Sequence, residues 1–169
     1  MRKRESIVEK NWVMKDWMEA IVFDRFGNIK QAHYGEDLIT SAGKAAVPAL
    51  ILTDITSVSG YDFIAIGSGN TAASTGDTTL EAEADRAAAT GTRVTTTVTN
   101  DTAQLVHVFS SGHPAGLNGT STGTQAIEES GLLSELTVGV LLCRQTFNPL
   151  NIDWDGGDSL SITWKVQVT

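Results

Sequence analysis

The segment SLSITWKVQVT, residues 159–169, alternates polar and apolar side chains without a slip. Leu160, Ile162, Trp164, Val166 and Val168 fall on one side of an extended chain, and Ser159, Ser161, Thr163, Lys165, Gln167 and Thr169 on the other, because successive residues of a strand point to opposite faces. At about 3.3 Å per residue such a strand spans roughly 36 Å, long for a globular protein. One apolar face of that length has to be covered by a second layer. The Trp164 face is therefore expected in a core, and the Thr, Lys and Gln face toward water or a wet subunit contact.

Other stretches repeat the β signal. EAIVFDRFGNIKQAHY reads as a hairpin turning at Gly27-Asn28. TRVTTTVTN and TAQLVHVFS are β-rich runs joined at Asn100-Asp101, YDFIAIGSG is a strand closed by glycines, and AIEESGLL and LTVGVLLCRQTF are further strands. NPLNIDWDGGD reads as the turn before the last strand, and SGHPAGLNGTSTGTQ as a long Gly/Ser/Thr loop, a kind of loop often used for contact. Two helices are expected. The first is capped by Thr40 or Ser41, runs through Ala45 and Ala46, and stops or kinks near Val47 ahead of Pro48. The second lies in GDTTLEAEADRAAATG, with Thr78 and Glu81 at capping-box spacing and Gly91 as its end. The fold class expected is mainly β: an antiparallel β-sandwich, jelly-roll-like, with one or two short helices. Residues 1–18 read as an N-terminal arm or packing segment and residues 19–169 as one sandwich domain.

The 169 residues suffice for one domain with a substantial core. The single cysteine, Cys143, excludes an internal disulfide and sits in the apolar run VGVLLCR as a small buried hydrophobe. Residues 1–44 hold eight Lys/Arg against seven Asp/Glu, and residues 45–169 hold four against thirteen. An acidic body disfavours phosphate backbones, so no nucleic-acid partner is expected. No stretch reads as a membrane span, and the basic start MRKR lacks the apolar region of a signal peptide. The product is expected to be cytoplasmic when made.

Candidate chemistry is sparse. Gly67-x-Gly69-x-x-Ala72 after a strand imitates a dinucleotide fingerprint, but the expected helix begins too late to offer its N–H groups to a phosphate. The two glycines are read instead as a tight exit from a buried strand. Asp153, Asp155 and Asp158 crowd as in a calcium loop, yet the pattern breaks at Gly157 and Trp164, so a polar turn is expected. His33, His107 and His113 share no ligand spacing with one another or with Cys143, and His107 is expected with its ring at a sheet surface. No Gly-x-Ser-x-Gly elbow occurs. No catalytic, cofactor-binding or metal site is expected.

The motif order is LITSAGKAAV, IAIGSGNTAASTGDTTLEAEADRAA, a polar β region, AIEESGLL, LLCRQTF, and NPLN followed by GDSLSITWKVQV. In this order the chain resembles small virion structural proteins of tailed bacteriophages and, more loosely, the N-terminal domain of phage tail-collar fibre proteins. The resemblance covers roughly residues 18–169. It implies a β-sandwich subunit working in an assembly, commonly a trimer, with phage capsid or tail proteins as partners and without catalytic residues or cofactors. The link SELTVGV lacks the Gly-Gly turn common in that group, and the sequence holds no fibre extension. A capsid decoration (cement) protein is therefore expected, with a tail, collar or neck component as the alternative and a carbohydrate-binding module behind both. The expected contact residues are Trp12, Trp17, His113, Pro114, Leu117 and Asn118, within the arm and the loop from Ser111 to Thr124; core packing is the competing role for Trp12 and Trp17.

Overall fold

The computed structural model describes residues 13–51, 60–111 and 123–168. Among these, ten strands and one helix follow in chain order. They are β1 (Met14–Phe23), β2 (Ile29–Glu36), β3 (Leu38–Ile39), α1 (Ser41–Ile51), β4 (Phe63–Gly67), β5 (Glu83–Ala88), β6 (Thr90–Val94), β7 (Thr102–Ser110), β8 (Thr124–Leu133), β9 (Leu141–Asp153) and β10 (Ser159–Val168). They form two five-stranded sheets, one in the order β2-β1-β10-β7-β6 and the other β3-β9-β8-β4-β5, with every pair antiparallel. The expected antiparallel sandwich is the observed fold.

The alternating strand, β10, lies at the centre of its sheet, between β1 and β7. Leu160, Ile162 and Trp164 are fully buried and Val166 nearly so. They meet Met18, Ala20, Val22, Leu105 and Phe109 of their own sheet, and Ile64, Ile66, Ile127, Leu132 and Ile152 of the facing one, in a single core cluster. Two tryptophans anchor it, and each indole N–H finds a partner as burial of a polar atom requires. Trp164 Nε1 donates to Ser130 Oγ at 3.2 Å, and Ser130 in turn donates to Ala65 O at 2.8 Å; Trp154 Nε1 donates to Gln125 Oε1 at 2.9 Å.

Turn chemistry sets the hairpin ends. Asp24 accepts from the backbone N–H groups of Phe26 and Asn28 while Gly27 takes φ 83°, closing the β1–β2 hairpin where expected. At the other marked turn, Asn100 has φ 62°, and the Asp101 carboxylate accepts from the amides of Thr96, Thr97 and Val98. Thr40 is the helix cap, its Oγ1 accepting from Gly43 N at 2.9 Å.

Three expectations are corrected. GDTTLEAEADRAAATG is not helical: β5 and β6 form there, with the chain passing from one sheet to the other at Ala89, whose N–H donates to Asp62 O. Helix α1 does not stop near Val47 but continues through Pro48 to Ile51, since a proline removes one rung of the ladder, and can kink a helix, without abolishing the helical path of the residues around it. NPLN belongs to strand β9, and only Trp154–Asp158 turn before β10. Strand β1 begins at Met14, inside the stretch read as an arm or packing segment, and Met14–Met18 pair with Trp164–Val168 of β10.

Candidate functional site

The outer face of the first sheet is laid out in rows by strand register. Glu36, Trp17, Lys165, Gln104 and Thr92 form one row; Tyr34, Glu19, Thr163, Val106 and Thr90 the next; Ala32, Ile21, Ser161 and Val108 the third; Ile29, Phe23, Ser159 and Ser110 the fourth. The polar half of β10 supplies the middle column, and β1, β2 and β7 place apolar side chains to either side. Ile29 (60%), Tyr34 (62%) and Val108 (49%) are exposed, and Phe26 in the adjoining turn is 75% exposed with the Arg25 guanidinium 4.7 Å above its ring. Trp17 is half-buried between its register partners Lys165 and Glu36. Trp17, Glu19, Tyr34, Thr163 and Lys165 also line a depression of about 350 Å³. Of the expected contact residues, Trp17 lies on this face; Trp12, His113, Pro114, Leu117 and Asn118 lie outside the described residues.

The glycine motif has a different role from the one it imitates. The amides beside Gly67 and Gly69 do bind an anion, and that anion is the protein's own Glu129 carboxylate. Oε1 accepts from Gly69 N at 3.1 Å and Ala82 N at 2.7 Å, while Oε2 accepts from Glu81 N at 3.0 Å and Arg144 Nε at 2.8 Å. A Cβ on Gly69 would lie 2.5 Å from Glu129 Oε1, and one on Gly67 2.4 Å from Ala82 O, so glycine is required for close approach. Arg144 also reaches Asp77 at 2.8 Å and Glu81 at 3.6 Å. Burial works against the Arg144 charge, but Asp77 and Glu129 outweigh it and hold its pKa above the ordinary value. This network ties the loop between β4 and β5 to β8 and β9.

The aspartate-rich turn is likewise stitched internally, as the polar-turn reading expected. Asp153 Oδ1 accepts from Gly156 N, and Asp158 Oδ2 accepts from Asp153 N and pairs with Lys30. His33 stacks on Phe147 at 5.1 Å. His107 packs edge-on against Phe109 at 4.5 Å and is half-buried, its Nδ1 2.8 Å from Ala88 O.

A second buried cluster had no motif to announce it. Asp37 is the corner between β2 and β3 where the chain leaves one sheet for the other, and its N–H donates to Asp16 O at 3.3 Å. Asp16 lies in register with inward-facing Met18 and Ala20 of β1, and Cys143 is buried on β9 of the opposite sheet. One ligand atom from each of Asp16, Asp37 and Cys143 lies within 4.8 Å of the other two. Burial holds both carboxyls above the ordinary carboxylate range, and the proximity of Asp16 raises Asp37 further, to about 8. Burial also pushes the Cys143 thiol up. Lys44 is the cation that bears on Asp16.

The sign of the resulting pH dependence is fixed. The folded state holds a carboxyl proton that the unfolded chain releases near pH 3.8, so the pair's contribution to stability is full below that pH and falls as pH rises toward about 8. Urea midpoints of the metal-free protein should show this decline, and Asp37→Asn should flatten it; equal slopes for the two proteins would refute the assignment.

Comparison with protein-family models, with characterised proteins and with solved structures finds no match to this chain.

Proposed function

We propose that this chain is a structural subunit of a tailed-phage virion, a capsid decoration protein that bridges capsid subunits and acts by binding alone. The observation that carries the reading is the outer face of the first sheet, where Ile29, Tyr34, Val108 and neighbouring Phe26 leave apolar surface in water beside half-buried Trp17. Apolar surface gathered on one face suits burial against a partner. The motif order set out above supplies the class of partner, phage capsid or tail proteins, and self-association as a trimer. A position in the tail, collar or neck is the alternative within the same class.

Purified protein is expected to re-add to heads stripped of it, and gold-labelled antibody to decorate the head of intact virions. Label at the tail or neck would move the assignment there, and absence of label from every particle would sink it. Tyr34→Glu is expected to weaken re-addition about tenfold or more, as for a residue at the centre of an interface. Being exposed, it should change the urea midpoint by no more than about 0.5 kcal/mol equivalent. Undiminished re-addition by the variant would clear this face of the role.

A second reading has its own observation. Trp17 and Tyr34 line one shallow depression with Glu19, Thr163 and Lys165, an aromatic and polar mixture able to stack and hydrogen-bond a sugar ring. Saturable binding of host polysaccharide, lost in Tyr34→Ala, would favour a carbohydrate-binding module over the structural role.

A further inference from the structure

We propose that Asp16, Asp37 and Cys143 form a three-ligand site for a zinc-class divalent cation that staples the two sheets together. The donors come from three places in the fold: Asp16 from β1 of one sheet, Cys143 from β9 of the other, and Asp37 from the corner joining them. Their ligand atoms fall within 4.8 Å of one another, and closing them to the edges of about 3.3–3.8 Å that a tetrahedral ion with bonds of about 2.0–2.3 Å requires takes side-chain shifts of about an ångström.

Two further observations point to a ligand. Asp16 is 6% exposed, and its Oδ2 and the Oδ2 of Asp37 are both buried with no hydrogen-bond partner among the described residues outside the cluster, leaving only each other and the Cys143 thiol to face. Carboxyl oxygens facing each other in an interior need a proton between them or a cation on them. Asp16 and Asp37 also line a cavity of about 480 Å³ together with Met14, Lys15, Trp17 and Glu36, which provides an entry path and room for a water as fourth ligand. One thiolate with two carboxylates suits zinc; calcium and magnesium take oxygen alone, and copper(I) prefers sulfur throughout. On binding, the Cys143 thiol proton and the proton held by the aspartate pair pass to solvent. Three anionic donors against a dication leave one negative charge, which Lys44, the cation that bears on Asp16, partly offsets.

The test is metal content and a sulfur-sensitive spectrum on the full chain. After incubation with Zn²⁺ and dialysis, one zinc per chain is expected by elemental analysis. With Co²⁺ in its place, a near-ultraviolet thiolate-to-metal band and visible bands of a four-coordinate ion are expected. Cys143→Ala should abolish the thiolate band, and Asp37→Asn should weaken Zn²⁺ binding at least about 10–100-fold, the loss that even outer-shell partners of a metal cause. Zn²⁺, and not Mg²⁺, should raise the melting temperature of the parent protein, a readout that stands even where a variant folds poorly. Absence of retained zinc, or zinc retained equally by Cys143→Ala and so held elsewhere in the chain, overturns the site.

Discussion

Glu129→Gln is expected to lower stability by about 3–5 kcal/mol, the cost of breaking a buried ion pair from one side. Glu129 is fully buried, and each of its oxygens accepts from two donors: Gly69 N and Ala82 N at one, Glu81 N and Arg144 Nε at the other. An amide fits the space, but whichever way it turns, its NH₂ group faces two N–H groups and can accept from neither. Arg144 meanwhile loses its buried carboxylate partner and keeps the more exposed Asp77 and Glu81. Against a total of about 5–15 kcal/mol for a domain, this loss is a large fraction. Glu128→Gln, one residue earlier at a partly exposed position, is the control and should stay within about 0.5 kcal/mol. The measurement is the urea midpoint with its slope. Arg144→Met should show a similar loss, and the double variant less than the sum of the two, because both remove one interaction. Equal midpoints for the two glutamine variants would mean that the loop between β4 and β5 is held by something other than Glu129.

Trp164→Ala is expected to cost about 3–5 kcal/mol, in the range of large aromatic truncations. The side chain is fully buried on the central strand of its sheet, with Met18 and Leu105 as register neighbours and the residues of the opposite sheet above it. Truncation opens a cavity where both layers meet. Trp164→Phe separates the two parts of the effect. It keeps most of the apolar contact and removes the donor to Ser130 Oγ, which retains its own bond to Ala65 O. A loss of about 0.5–1.5 kcal/mol is therefore expected, as for one hydrogen bond. If phenylalanine costs as much as alanine, the indole N–H and not the buried ring dominates at this position.

Parts of the polar architecture were legible in the residues, and parts were not. Gly67 and Gly69 read correctly as a tight strand exit, but nothing in IGSGN told which anion their amides would meet; Glu129 is sixty residues away in sequence. Asp16 did carry a signal. It stands in two-residue register with Met14, Met18, Ala20 and Val22, so a carboxylate was due on an inward-facing stripe, where burial without a partner is costly. Its companions were beyond reach, because Asp37 and Cys143 approach it only when the two sheets close. The exposed apolar row was not legible: Ile21 and Phe23 are the more apolar side of β1, yet Ala20 and Val22 face in, and the hairpin register turns Tyr34 and Ile29 outward.

The sequence by itself determined what depends on local chemistry. The two-residue alternation of β10, the Asp24–Asn28 and Asn100-Asp101 turns and the Thr40 cap each follow from a few neighbouring side chains and backbone dihedrals, and they arise wherever that segment is placed. Tertiary structure decided the rest. LEAEADRAA has the composition and end signals of a helix, yet helix propensities differ by at most about 0.7 kcal/mol per ordinary residue. In the fold the edge of β4 pairs with Glu83–Ala88, and Glu129 takes the amides of Glu81 and Ala82, which outweighs that preference. The central position of β10 is of the same kind. Its pattern required a covering layer, but which strands flank it is set by the pairing of β1 and β7 to either side, contacts between residues distant along the chain that no local pattern encodes.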